Sequence, residues 1–154
     1  MKSEKFNNLI SLTANFRAIA GIVFLAIEVE QNTHMMNAQT RDSVTKSILA
    51  IQEWNNDLAT IELMDRGVAG QLATNTLEWA TFRSRVEMQL RVSENELYQY
   101  EQGLFEENEF LPRTTVWQGA MNTLGFRQAW ESVRNTYSVS FQDKIEEVLR
   151  NNEE

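Results

Sequence analysis

The residue types that most often hold metals or attack substrates are scarce here: the chain has one histidine, His34, and no cysteine. A di-iron bundle of the ferritin kind takes a Glu-x-x-His pair from each of two helices, and a His-Glu-x-x-His zinc helix takes two histidines. One histidine supplies neither. Glu30 and His34 are four apart and share a helical face, but two ligands do not close a zinc site, so they read as a surface pair worth about 0.3 kcal/mol. Glu106, Glu107 and Glu109 cluster beside Phe105 and Phe110. Paired carboxylates do acid–base work when burial drives their pKa values apart, whereas consecutive ones in an expected loop each face water. Gly67-Val-Ala-Gly70 lacks the Lys-Ser/Thr of a phosphate loop and reads as a turn, and no nucleophile elbow is written anywhere. The expectation is no catalytic residue, no metal, no cofactor and no enzyme.

The elements that would position any site are helical. Six Gly and one Pro in 154 residues leave little for the tight turns of a many-stranded sheet, so the composition predicts an all-α fold, a long N-terminal helix followed by a small helical bundle. With 42% apolar and 23% charged residues the chain has the make-up of a folded domain. Fourteen Lys and Arg against 22 Asp and Glu give a formal charge of −8, which repels phosphate backbones and speaks against nucleic acid as a partner.

The most informative stretch is Ile10 to Ile27, predominantly apolar but interrupted by Thr13, Asn15 and Arg17. As a helix it spans roughly 27 Å, just short of a ~30 Å hydrocarbon core. Its Leu, Ile, Val and Phe residues contribute about −3 to −5 kcal/mol towards insertion, and a central Arg costs about +2.5 to +3.5. Insertion of a lone helix is therefore marginal. Ser11, Ala14, Ala18 and Gly21 recur at +3, +4 and +3 and form a stripe of small side chains that lets helices approach closely, with Asn15 and Arg17 flanking it where a neighbouring copy accepts their hydrogen bonds. A self-associated membrane helix is expected; the competing reading is the buried central helix of a soluble bundle. Lys2 and Lys5 precede the run as in a signal peptide, but Ala26-Ile-Glu-Val-Glu30 offers no cleavage site, so the segment is expected to stay as an anchor. Lys2 and Lys5 before it and Arg41 and Lys46 after it leave its orientation undetermined.

No Gly or Pro falls between Ile22 and Arg66, and Val29, Met36, Val44, Ile48 and Ile51 step helically. The first helix is expected to run to about Asn55 or Asn56, which divides the chain into an anchor at 1–28, a stalk at 29–56 and a bundle at 57–154. Asp57 caps a short helix reaching Met64 or Asp65; Asn75 with Glu78 resembles a capping box opening a helix whose stripe is Phe82, Val86, Leu90, Ser93, Leu97, Tyr100 and Leu104. Pro112 suits the first turn of the next helix, Gly125 its end, and Ser138 or Ser140 caps the last. Trp54, Trp79, Trp117 and Trp130, with Phe82, Phe126 and Tyr137, fall on apolar stripes and read as core. Glu28, Asn32 and Gln39, spaced 4 and 7, are a possible polar seam holding copies in register, or one face of a solvated stalk.

Gly21 to Thr33, reading GIVFLAIEVEQNT, with Ala38-Gln-Thr-Arg41, Gly103-Leu-Phe105 and Phe126-x-x-x-Trp130, resembles a group of small bacterial proteins of unknown function that carry an N-terminal membrane-like helix, an E-x-x-Q-N-T segment and a C-terminal helical domain. The resemblance covers most of the chain and rests on Glu28, Gln31, Asn32, Gln39, Thr40 and Arg41; Arg17 departs from a cleaner membrane segment. It implies bacterial origin and anchored architecture, and carries no activity. The expectation is a non-enzymatic bacterial inner-membrane protein whose partners are its own copies and the bilayer, serving as an interaction or scaffold module. The first alternative is a soluble, cytoplasmic bundle that binds an apolar ligand or partner helix. The second is an oligomeric pore with Arg17 facing the lumen.

Overall fold

The computed structural model describes residues 2–53 and 57–151, with side chains from 12 to 150 within those ranges. Among the described residues there is no strand, and the chain is all-α: α1 (Lys2–Glu53), α2 (Leu58–Val68), α3 (Leu77–Glu101), α4 (Glu107–Met121), α5 (Leu124–Val133), a 3₁₀ turn (Arg134–Thr136) and α6 (Val139–Asn151). Two compact units result, Met1–Gln39 and Thr40–Glu154, and α1 belongs to both. The long helix followed by a helical domain is as expected, with α1 described to Glu53. Trp54 lies outside the described residues.

Within Thr40–Glu154, α3 packs against α2, α4 and α5, and α4 packs against α5 and α6. The α3 stripe explains this central place, because Phe82, Val86, Leu90 and Leu97 recur at helical spacing and are all buried. From α4 come Phe110, Trp117 and Met121; from α5, Phe126, Ala129, Trp130 and Val133; from α6, Phe141, Ile145 and Val148. The rings form a continuous path. Tyr100 stacks on Phe110 at 4.2 Å, Phe110 meets Trp117 edge-on at 5.5 Å, Trp117 meets Phe141 at 5.9 Å, and Phe141 meets Trp130 at 5.8 Å. Such pairs add about 0.5–1.5 kcal/mol each beyond their burial, so aromatic side chains tie α3, α4, α5 and α6 together.

Local chemistry sets the helix ends. Asp57 caps α2, accepting from Thr60 N–H at 2.9 Å and from Thr60 Oγ1 at 2.5 Å. The cap of α3 is Thr76 rather than Asn75: extended Thr76 accepts from Trp79 N–H at 3.2 Å, and Glu78, which a capping box would turn inward, pairs with Arg66. Ser138 caps α6 by accepting from Phe141 N–H, and Ser140 hydrogen-bonds Glu101 instead. Gly103, at φ +70°, closes α3: Leu104 N–H donates to Gln99 O and Gly103 N–H to Tyr100 O, both at 2.9 Å, a left-handed exit that favours glycine.

Four expectations are corrected. α4 begins at Glu107, so Pro112 sits inside it and the acidic cluster is no loop; Glu107 and Glu109 occupy its first turn, where carboxylates favour the positive helix end and where burial of Phe110 gains an extra turn. Gly125 does not end α4, which stops at Met121 with Asn122 as cap, but lies in the first turn of α5. There a Cβ would overlap the Gly67 carbonyl of α2 and approach Phe82 Cζ at 3.1 Å. α2 itself extends to Val68, beyond Asp65.

Candidate functional site

The apolar segment of α1 is uncovered on every side. From Leu12 to Ile27 each position is exposed, including Phe16 at 72%, Ile22 at 67% and Phe24 at 60%. The described helix Leu12–Glu53 contains an 18-residue window of mean hydropathy 1.6, none of it buried, and so is long and apolar enough to cross a membrane. A core helix of a soluble protein passes the same length and composition test but is mostly buried.

At about 100° per residue, Ser11, Ala14, Ala18 and Gly21 fall within roughly 80° of the helix circumference, and Asn15 and Arg17 each lie about 40° outside that sector, on opposite edges. The Ser11 side chain is outside the described residues. Ala14 and Ala18 are exposed, and a Cβ on Gly21 would meet nothing within 4 Å, so packing within the chain does not require a small residue there. Asn15 and Arg17 project outward as well. Further along α1, Glu28, Asn32 and Gln39 share one face within about 40° and are all exposed. Between Asn32 and Gln39, Asn37 Oδ1 is shielded from solvent with no partner among the described residues, a polar atom that inspection of the seam did not single out.

His34 Nε2 lies 4.0 Å from Glu30 Oε1, both well exposed, as a surface pair would. Among the described residues no three His, Cys, Asp or Glu side chains approach closely enough to hold a metal ion. Glu109, half-buried, pairs with Arg41 at 2.9 Å.

The polar feature that sequence inspection missed is Glu96 of α3, which is fully buried. Arg113 of α4 donates from Nε to Glu96 Oε1 at 2.9 Å, and Trp117 Nε1 donates to Oε2 at 3.2 Å, so both carboxylate oxygens are satisfied. Burial pushes this carboxyl above its ordinary range, against the opposing pull of Arg113 and the two hydrogen bonds. A signal was present: Glu96 follows Ser93 by three on the apolar stripe and adjoins Leu97, a place where a charged residue needs a partner.

Nearby, Arg91 lies 3.8 Å over the Tyr137 ring, donates to Thr136 O and Oγ1, and pairs with Glu94 at 2.8 Å. Glu94 accepts from Ser138 N–H at 2.7 Å, joining α3 to the start of α6. Burial works against its ionisation, but the bonds from Ser138 and Arg91 prevail and hold it below the usual carboxylate range. Burial likewise lifts the Tyr137 hydroxyl to about 12, its O–H donating to Glu87 O at 3.1 Å. These groups clamp helices to one another.

No protein family, curated protein or solved structure matches the chain. Of the resemblance drawn from the sequence, the architecture stands: a long N-terminal helix and a helical domain.

Proposed function

We propose that the chain is a non-enzymatic, membrane-anchored, self-associating helical protein of the bacterial inner membrane, and that its bundle serves as an interaction or scaffold module. One observation carries the reading: the apolar run from Leu12 to Ile27 is exposed around its whole circumference. Water around that many Leu, Ile, Val and Phe side chains is costly, at roughly 25 cal/mol per Å² of apolar surface, and a bilayer removes the cost. Arg17 makes a solitary helix uncomfortable there. A second copy against Ala14, Ala18 and Gly21 brings acceptors to Asn15 and Arg17 at the edges of the stripe, and the open space at Gly21 supports that placement. The soluble alternative needs Ile10 to Ile27 under the chain's own helices, which the exposure of this run does not favour.

Light scattering of the detergent-solubilised full chain tests the assembly. The double change Ala14→Leu and Ala18→Leu raises apolarity but blocks close approach, and is expected to reduce the particle to a monomer. An unaltered mass removes this face from the contact.

A further inference from the structure

A cleft of about 310 Å³ lies within the unit Thr40–Glu154, where the C-terminal part of α1 meets α3, α4 and α5. Its walls are chiefly apolar, with Ile51 from α1, Leu90 from α3, Val116 and Met121 from α4 and Phe126 from α5. Gln52, Gln89 and Ser93 add neutral polar groups, and Arg113 is the one ionisable side chain among the described lining residues. Arg113 is already oriented. Its Nε donates to the buried Glu96, whose second oxygen is taken by Trp117 Nε1, and no other hydrogen bond of Arg113 occurs among the described residues. The terminal NH2 groups of the guanidinium make no hydrogen bond among the described residues and, with the side chain 28% exposed, are open to an acceptor from outside.

We propose that this cleft binds a small anionic amphiphile, a straight-chain monocarboxylate, with its carboxylate on the terminal nitrogens of Arg113 and its tail along Ile51, Leu90, Val116 and Met121. The donor geometry argues for the head: a planar guanidinium presents parallel donors that match a carboxylate, and with Nε engaged by Glu96 its terminal nitrogens are better met by a charged acceptor than by a neutral apolar guest. The volume argues for the tail, since at about 30 Å³ per water-sized group it accommodates roughly ten such groups, too few for a phospholipid or a partner helix. Glu96 and Trp117 are positioning residues that hold the guanidinium at the cleft wall. The inference does not depend on membrane anchorage.

The test titrates decanoate and decanol calorimetrically into the full chain, in nanodiscs or in plain buffer, each signal corrected for empty nanodiscs. Decanoate is expected to bind saturably and roughly tenfold more tightly than decanol, as a charge-assisted hydrogen bond implies. Ala120→Trp, which fills the cleft from its wall, is expected to abolish binding while the helical melting profile is retained. A signal no larger than that of empty nanodiscs, equal affinity for decanol, or undiminished binding in a folded Ala120→Trp chain overturns the proposal. If that variant fails to fold, the comparison of decanoate with decanol on the unchanged chain decides.

Discussion

Glu96 and Glu94 sit two residues apart on α3, and although burial works against ionisation in both, their carboxyls are shifted in opposite directions. Glu96 is enclosed by apolar surroundings with one cation and one indole, and its carboxyl is held above the ordinary value of 4.5. Glu94, nearer solvent, receives a backbone N–H from Ser138 and the guanidinium of Arg91 and lies below 4.5. Linkage fixes the signs. A raised folded-state value means that the native state holds its proton more tightly than the unfolded chain, so the contribution of Glu96 is complete below 4.5 and is lost as pH rises through the folded value; that of Glu94 is complete above 4.5 and is lost as pH falls through its lowered value. Urea unfolding of the chain and of Glu96→Gln and Glu94→Gln, from about pH 7 down to about pH 3, should separate them. The advantage of the unchanged chain over Glu96→Gln should grow as the pH falls, and its advantage over Glu94→Gln should shrink. Parallel trends would contradict the two environments described.

At the scale of elements, the crossing of α2 and α5 depends on two glycines facing each other beneath Phe82. Gly67 lies against the Phe82 ring, 2.5 Å from its Cε2 to where a Cβ would stand, and a Cβ on Gly125 would overlap the Gly67 carbonyl. Gly125→Ala should therefore force α5 away from α2 and cost about 3 kcal/mol. Gly119→Ala, on an exposed face of α4 with nothing within 4 Å of the new methyl, should gain up to about 1 kcal/mol through helix propensity. Thermal unfolding of the two variants provides the check. This crossing also marks what the sequence made legible. Periodicity exposed the α3 stripe and the long first helix, and Asp57 and Ser138 were readable as caps because their side chains act within three residues. Gly125 was misplaced because its role depends on Gly67, which is distant in the chain, and Pro112 because burial of Phe110 extended α4 past the boundary that local preference suggested. Glu96 was overlooked for the same reason: its partners Arg113 and Trp117 lie on another helix.

For the whole molecule, the two units differ in where their apolar surface goes. In Thr40–Glu154 the largest side chains of the core cover one another, and Phe82, Trp130, Phe141 and Ile145 are essentially inaccessible to water, although Leu58, Leu77 and Val139 stay exposed. In Met1–Gln39 the described apolar residues face outward along the helix, from Leu12 through Phe16, Ile22 and Leu25 to Val29. So continuous an exposed apolar surface is the observation on which the proposed anchoring rests. The sequence revealed this segment because an 18-residue apolar run is a local property, and the small-residue face within it because helical spacing is local too. What would meet that face under the proposed assembly is not encoded by spacing within one chain. Alkaline carbonate extraction of membranes from bacteria producing the full chain bears most directly on the central claim. The protein should remain entirely in the membrane pellet; its release into the supernatant, with peripheral proteins, would contradict the account.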